Sequence, residues 1–284
     1  MGGLIAVTGA TGQLGGRVAQ RLVAAGRRQR LIVRVGSRLP ALPDAGVAEI
    51  DSYADPQLCS ALEGVDTLYL VSAREAPDRV QQHRMAVDAA VAAYVKRIVY
   101  VSFVSAGADA TFTWARDHHW TEEYIRASGL RFTFLRSSPY LDLLPFLPSD
   151  DGVIRAPAGD GRISPVSRDD IADTAVGILL GDGHAGHAYD ITGSEALSLA
   201  DAAALLATAS GRPVRYLPQT IDEARASRAA PDVPAWQLEG WISSYMAIAM
   251  GELAVVTRTV REVTGHEPQS AAAWLAANPE TLVR

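Results

Sequence analysis

The feature that most constrains this chain is a glycine-rich string set between an apolar run and an amphipathic one. Leu4 to Val7 is apolar and leads into Thr8-Gly9-Ala10-Thr11-Gly12-Gln13-Leu14-Gly15. Leu14, Val18 and Leu22 then recur on one helical face, the pattern ends near Gly26, and a second apolar run, Leu31 to Val33, finishes at Arg34. That is strand, glycine-rich turn, helix, strand. In this order G-x-x-G-x-x-G points to a dinucleotide site, which an isolated glycine motif does not. Gly9 suits the sharp turn out of the strand, Gly12 a close approach of backbone to pyrophosphate, and Gly15 close packing of helix on sheet. The free N–H groups and the dipole at the helix start favour phosphates. The alternative is a glycine-rich turn that holds no ligand.

The end of the second strand selects the nucleotide. An acidic residue there would bond the ribose hydroxyls of NAD; this strand ends with Arg34, with Arg38 close behind. An Arg suits a 2′-phosphate. The expected cofactor is therefore NADP(H), the competing reading being two ordinary solvated arginines.

Bulk properties narrow the class. A chain of 284 residues, 48% hydrophobic and 20% charged, suits one large α/β domain or a main domain with a small appendage. The formal charge is −6 with no basic block, so nucleic acid is not an expected partner. The lone Cys59 excludes an internal disulfide framework and suits the cytoplasm. No His/Cys cluster has zinc-ligand spacing, so no metal is expected. No apolar run is long enough for a bilayer, and the chain enters its first strand directly, so neither a membrane span nor a signal peptide is expected.

Along the first half, strands are predicted at 5–7, 31–34, 47–50, 67–71, 97–101 and 131–135. Helices are predicted between them at 13–25, 57–62, 79–93 and 117–127. This alternation predicts an α/β fold with a doubly wound parallel sheet of Rossmann type over residues 1–140. After Leu135 the pattern changes, broken by Pro139, Pro145, Pro148, Pro157 and Pro165. Ser167 with Asp170 reads as a cap for a helix running to Leu180, Tyr189–Thr192 as a short strand, and Ser198 as a cap for a helix over 199–209. Residues 141–284 are expected to form a smaller, mostly helical cap with short strands returning to the core, over the carboxyl edge of the sheet.

Several strings together resemble one known group. They are Ile5-Ala6-Val7-Thr8-Gly9-Ala10-Thr11-Gly12-Gln13-Leu14-Gly15, Leu31-Ile32-Val33-Arg34, Leu68-Tyr69-Leu70-Val71-Ser72 and Gln82-His83-Arg84. Val95-Lys96-Arg97-Ile98-Val99-Tyr100-Val101-Ser102, His118-His119-Trp120-Thr121-Glu122 and Phe134-Leu135-Arg136-Ser137-Ser138-Pro139-Tyr140 extend the match. The chain resembles the NmrA-like atypical short-chain dehydrogenase/reductases, and within them is most similar to type-2 quinone oxidoreductases and triphenylmethane reductases. The resemblance implies that Gly9, Ala10, Thr11, Gly12, Gln13, Leu14 and Gly15 hold the pyrophosphate, and Arg34 with Arg38 the 2′-phosphate. It places Ser72 and Ser102 at strand ends beside the cofactor, and Ser137, Ser138, Pro139 and Tyr140 in a loop near the nicotinamide. The relatives usually carry Asn where Ser137 stands.

The ordinary superfamily acid, Tyr-x-x-x-Lys, is absent: the only lysine is Lys96, two residues after Tyr94. The resemblance puts His118 in the place of a catalytic or nicotinamide-positioning side chain. Reducing a ketone needs a good acid to meet the alkoxide, whereas reducing a quinone or a cationic dye does not. The expected activity is NADPH-dependent reduction of quinone-like or other conjugated acceptors, small molecules touched by Tyr140, Leu144 and Phe146. The rival is a non-catalytic NADP-binding sensor of the NmrA type. Glu122 and Glu123 read as a wet helical face, and Asp169-Asp170-Asp173 as helix capping. Trp236, Trp241, Tyr245, Met246 and Met250 read as a core stripe or a homodimer contact.

Overall fold

A computed structural model describes residues 3–38, 42–43 and 45–282. The first half runs β1 (Ile5–Thr8), α1 (Gln13–Ala24), β2 (Gln29–Arg34), β3 (Gly46–Ile50), α2 (Gln57–Ala61), β4 (Thr67–Leu70), α3 (Arg79–Ala92), β5 (Arg97–Phe103), α4 (Thr113–Ala127) and β6 (Arg131–Ser137). The second runs β7 (Val153–Ala156), β8 (Arg162–Ile163), α5 (Arg168–Leu180), β9 (His187–Ile191), β10 (Leu197–Ser198), α6 (Leu199–Ser210), β11 (Arg215–Pro218), α7 (Ile221–Arg228), α8 (Ala235–Ala249), α9 (Thr259–Thr264) and α10 (Ala271–Ala277).

A seven-stranded sheet has the order β3-β2-β1-β4-β5-β6-β9. The pairings from β3 through β5 are parallel. The order reverses direction at β1, leaving a crevice at the carboxyl ends of β1 and β4 where ligands of such sheets bind. This is the Rossmann-type α/β architecture. Strands β1 and β5 are apolar on both faces because helices cover both, so they read as continuous runs without alternation. α1 buries Leu14, Val18 and Leu22 at the predicted four-residue spacing.

The chain divides into two compact units. One comprises Met1–Phe103, Asp117–Arg136 and Ile171–Asp190, the other Val104–Arg116, Ser137–Asp170 and Ile191–Arg284. The core of the first includes Ile32, Leu58, Leu62, Leu68, Leu70, Val87, Ile98, Ile125 and Phe134. Burial contributes about 1.5–3 kcal/mol for each such large side chain. In the second unit β7 pairs in parallel with β11, and β8 runs antiparallel to β10. Ser198 and Asp201 form a reciprocal capping box at the start of α6, as the sequence predicts for Ser198. Ser167 accepts the Asp170 N–H at 2.9 Å, so its role as a cap also stands. The buried face of α8 is Gly240, Ile242, Ser243, Ala247 and Ile248; of the stripe read as core or dimer contact, Trp236, Trp241, Tyr245 and Met246 are half-buried and Met250 is 73% exposed. Among the described residues no helix is long and apolar enough to cross a membrane, and no group of His, Cys, Asp and Glu has the makings of a metal site.

Candidate nucleotide-binding site

β1 ends at Thr8, and Gly9 turns the chain with φ +62, where an L side chain is strained. The Gly12 N–H closes the turn on the Gly9 carbonyl at 2.9 Å. Gly15 lies over that turn: a Cβ there would sit 2.4 Å from Gly9 O and 2.7 Å from Thr8 O. The start of α1 can reach the strand end only because Gly15 lacks a side chain. Gly12 is the N-cap of α1 and supplies no side-chain cap, and the first turn holds no acidic residue. Amide groups that other helices satisfy locally are thus left facing outward. Thr11, Gly12 and Gln13 are exposed, whereas the side chains of Ala10 and Leu14 are buried and leave only their backbone to a ligand.

A cleft of about 490 Å³ opens at this turn. Its lining comes from the carboxyl ends of four neighbouring strands: Gly9, Thr11 and Gly12 after β1, Arg34 at the end of β2, Asp51 to Tyr53 after β3, and Val71 to Ala76 after β4. Ser72 lies in this wall, half-buried. Arg34 and Arg38 are exposed, and among the described residues neither side chain forms an ion pair. Thr8 and Tyr53 lock the cleft floor. The Val71 N–H donates to Thr8 Oγ1 at 2.8 Å, and the Tyr53 hydroxyl lies 2.6 Å from Val71 O and 2.8 Å from Thr8 Oγ1. Burial pushes the Tyr53 phenol up to about 12, so it stays a neutral donor. The sequence reading missed Tyr53. Its signal was position alone, the third residue after a predicted strand.

Behind the cleft lies a buried polar cluster. The Ala73 N–H donates to His83 Nε2 at 2.8 Å, so the His83 proton is on Nδ1, 2.8 Å from Thr121 Oγ1. Arg79 Nη2 lies 3.1 Å from His118 Nε2, which puts the His118 proton on Nδ1, 2.9 Å from the Tyr100 hydroxyl. Burial, then the Arg79 charge, pushes His83 down to about 3. The same two causes, in that order, hold His118 well below the usual histidine range. Both rings are neutral. The helix predicted from 117 begins at Thr113, so His118 lies within it, buried and stacked on Phe103.

These shifts have a measurable sign. In the unfolded chain each histidine takes a proton near pH ~6.5, which the folded protein refuses. Stability from the pair is complete above that pH. It falls by up to about 1.4 kcal/mol per pH unit per histidine as pH drops below ~6.5, for His83 down to about 3. Thermal unfolding is therefore expected to weaken steadily below about pH 6.5, with a shallower slope in His83→Gln. An identical slope in wild type and variant would contradict the neutral buried assignment.

Glu122 corrects the sequence reading. It is fully buried, not on a wet face, and accepts both Arg136 Nε at 2.8 Å and Arg136 Nη2 at 2.6 Å. Ser102, expected beside the cofactor, is buried and donates its hydroxyl to Glu122 Oε1 at 2.6 Å. The carboxylate ties α4 to β5 and β6. Glu123 is half exposed and pairs with Arg126, in keeping with a helical surface. Lys96 is also at the surface, paired with Asp66. Asp169 and Asp170 lie in the first turn of α5, in keeping with capping, whereas Asp173 lies beyond it and pairs with Arg21 at 2.6 Å.

The remaining expected residues fall in the second unit. Ser137 and Ser138 are buried; the Ser138 N–H donates to Ile191 O at 2.9 Å, and its hydroxyl lies 3.2 Å from Ser164 Oγ. Pro139 and Tyr140 are half-buried, and the Tyr140 ring carries the Arg168 guanidinium 4.5 Å from its centroid. Leu144 is buried at 2% exposure, whereas Phe146 is 57% exposed.

A glycine turn with close helix approach, an uncapped helix start and an exposed cation at the rim fit a dinucleotide phosphate chain and a further phosphate. Fold and site together define an NAD(P)H-binding α/β protein. The chain belongs to the NAD(P)H-binding family, which it matches over residues 9–182. It is 34% identical over 272 residues to quinone oxidoreductase 2 of Escherichia coli (strain K12), covering 93% of this chain and 94% of that protein. Among solved structures, the NADPH-dependent quinone oxidoreductase of Escherichia coli complexed with NADPH is similar with a TM-score of 0.86 at 31% identity, covering 96% of this chain and 99% of that one. Triphenylmethane reductase of Citrobacter sp. complexed with NADP(H) is similar with a TM-score of 0.84 at 29% identity, covering 97% and 99%.

Proposed function

We propose that the protein prefers NADPH to NADH and passes hydride to quinone-like or other conjugated, electron-poor small molecules. The observation that carries this reading is the state of its candidate acids. Lys96 is spent on a surface ion pair, and His118 and Tyr100 are buried, neutral and engaged with each other. Such a site suits an acceptor whose reduced form needs no strong proton donor. A quinone gains hydride to become an aromatic oxyanion, and a cationic dye becomes neutral. The names of the reductase relatives agree with acceptors of this kind.

When bound, reduced nicotinamide supplies the hydride. The chain's own residues bind and orient. Residues 9–15 take the pyrophosphate through backbone N–H groups, and Arg34 with Arg38 takes the 2′-phosphate. Ser72 borders the cleft. His118, with both nitrogens engaged, fits a positioning role better than proton donation. In the second unit, Ser137 to Pro139 are proposed to face the cofactor. Tyr140 and Phe146 are proposed to meet the acceptor, with Leu144 packed beneath them.

The test mixes purified protein with NADPH or NADH and a panel of quinones and dyes, and follows loss of the reduced nicotinamide absorbance. Oxidation of NADPH on at least one acceptor, faster than of NADH, is expected. Tight NADP+ binding with no turnover on any acceptor would overturn the reading in favour of a nucleotide sensor.

A further inference from the structure

The segment after β4 is held in an unusual way. Residues 72–75 line the cleft and lie outside helix and strand. Among the described residues their backbone makes no backbone–backbone hydrogen bond. Two side chains of α3 hold it instead. His83 Nε2 accepts the Ala73 N–H at 2.8 Å, and Arg79 Nε donates to the Ala73 carbonyl at 2.9 Å. His83 is 0% and Arg79 3% exposed, so both bonds form away from water, where an unmet donor or acceptor is costly.

The clamp is itself braced from α4. Arg79 also reaches His118 Nε2 at 3.1 Å and Asp117 Oδ2 at 3.7 Å. The other His83 nitrogen lies 2.8 Å from Thr121 Oγ1, which donates to the Asp117 carbonyl at 2.8 Å. A histidine held near 3 keeps the Nε2 lone pair available at any ordinary pH.

We infer that His83 and Arg79 are positioning residues for the nucleotide: without touching it, they set the Ser72-Ala73-Arg74 wall at the spacing that the cofactor requires. The inference rests on the reading that the nucleotide occupies this cleft. It extends the site to two side chains on a helix that contributes little of the lining.

The two ring nitrogens can be separated by mutation. In His83→Gln the side-chain oxygen reaches the place of Nε2 and can still accept the Ala73 N–H. In His83→Asn the shorter amide reaches only the place of Nδ1, where its NH2 faces Thr121 Oγ1, and nothing accepts the Ala73 N–H. Steady-state kinetics with a quinone acceptor are expected to show KM for NADPH raised about tenfold in His83→Asn and within about threefold of wild type in His83→Gln. KM for the acceptor and kcat at saturating NADPH should change little in either. If both variants lose thermal stability while KM for NADPH stays at the wild-type value, the role is structural only and the inference fails.

Hydrogen exchange on the unmodified protein provides the second measurement. NADPH is expected to slow exchange both at the glycine turn and across residues 72–76. Protection at the turn with none at 72–76 overturns the clamp. Protection at neither overturns the placement of the nucleotide itself.

Discussion

Arg34→Glu is expected to reverse the nucleotide preference. Arg34 ends β2, lines the cleft, is exposed, and has no ion-pair partner among the described residues. A hydrogen bond to a charged group contributes about 1.5–3 kcal/mol, or roughly tenfold to a hundredfold in affinity. Reversing the sign removes that contact and sets a carboxylate against the 2′-phosphate. The same carboxylate can accept the ribose hydroxyls of NADH. KM for NADPH should therefore rise at least tenfold while KM for NADH stays level or falls. The gap should narrow at high salt, because an exposed charge pair is screened within about 10 Å at 0.1 M salt. An unchanged NADPH/NADH ratio would remove Arg34 from the phosphate site. Folding should not suffer, since the residue packs against nothing that requires its charge.

Gly15→Ala is expected to do the opposite, damaging both fold and binding. Helix propensity alone predicts a gain of about 1 kcal/mol, since alanine outranks glycine in a helix interior. Packing decides against it. The added Cβ would meet backbone atoms of Gly9 and Thr8 at 2.4–2.7 Å, and no rotamer change relieves a clash with backbone. The start of α1 must lift from β1, which overpacking measurements put at about 1–3 kcal/mol or more. The same shift moves the open amides away from the phosphate chain, so NADPH affinity should fall by more than tenfold. A lowered urea midpoint with weakened binding is the expected pair of results. A variant as stable as wild type that binds NADPH normally would mean that the close approach at Gly15 has no function.

The parts of this protein set by local chemistry were readable in the sequence. The glycine turn combines a positive φ, a close approach and an amphipathic run within a few residues, so the β1–α1–β2 unit follows from the string itself. Ser167 and Ser198 mark helix starts because their partners, Asp170 and Asp201, are three residues away. Contacts across long sequence separations stayed hidden. Glu122 is paired through Arg136 on a neighbouring strand, and nothing near it in sequence marks it as buried. Arg79, His83, Tyr100 and His118 meet only because parallel crossovers stack α3 and α4 beside β5. The β7–β11 pairing lies in a proline-broken region without the alternation that marks a half-buried strand. The helix predicted at 117–127 starts four residues late because no side chain close in sequence marks the start of α4 at Thr113. Thr113 instead has its N–H met by Ser243 Oγ at 3.2 Å, a partner far along the chain.

Arg34→Glu and Gly15→Ala both bear on whether the amino-terminal cleft grips a phosphorylated nicotinamide nucleotide. Titration calorimetry of the purified protein with NADPH, run beside Gly15→Ala, decides it. Saturable uptake of one NADPH per chain, stronger than NADH and lost in the variant, is the predicted result. A folded wild-type sample that takes up neither nucleotide, or a variant that binds as well as wild type, would mean that the nucleotide does not sit on this turn.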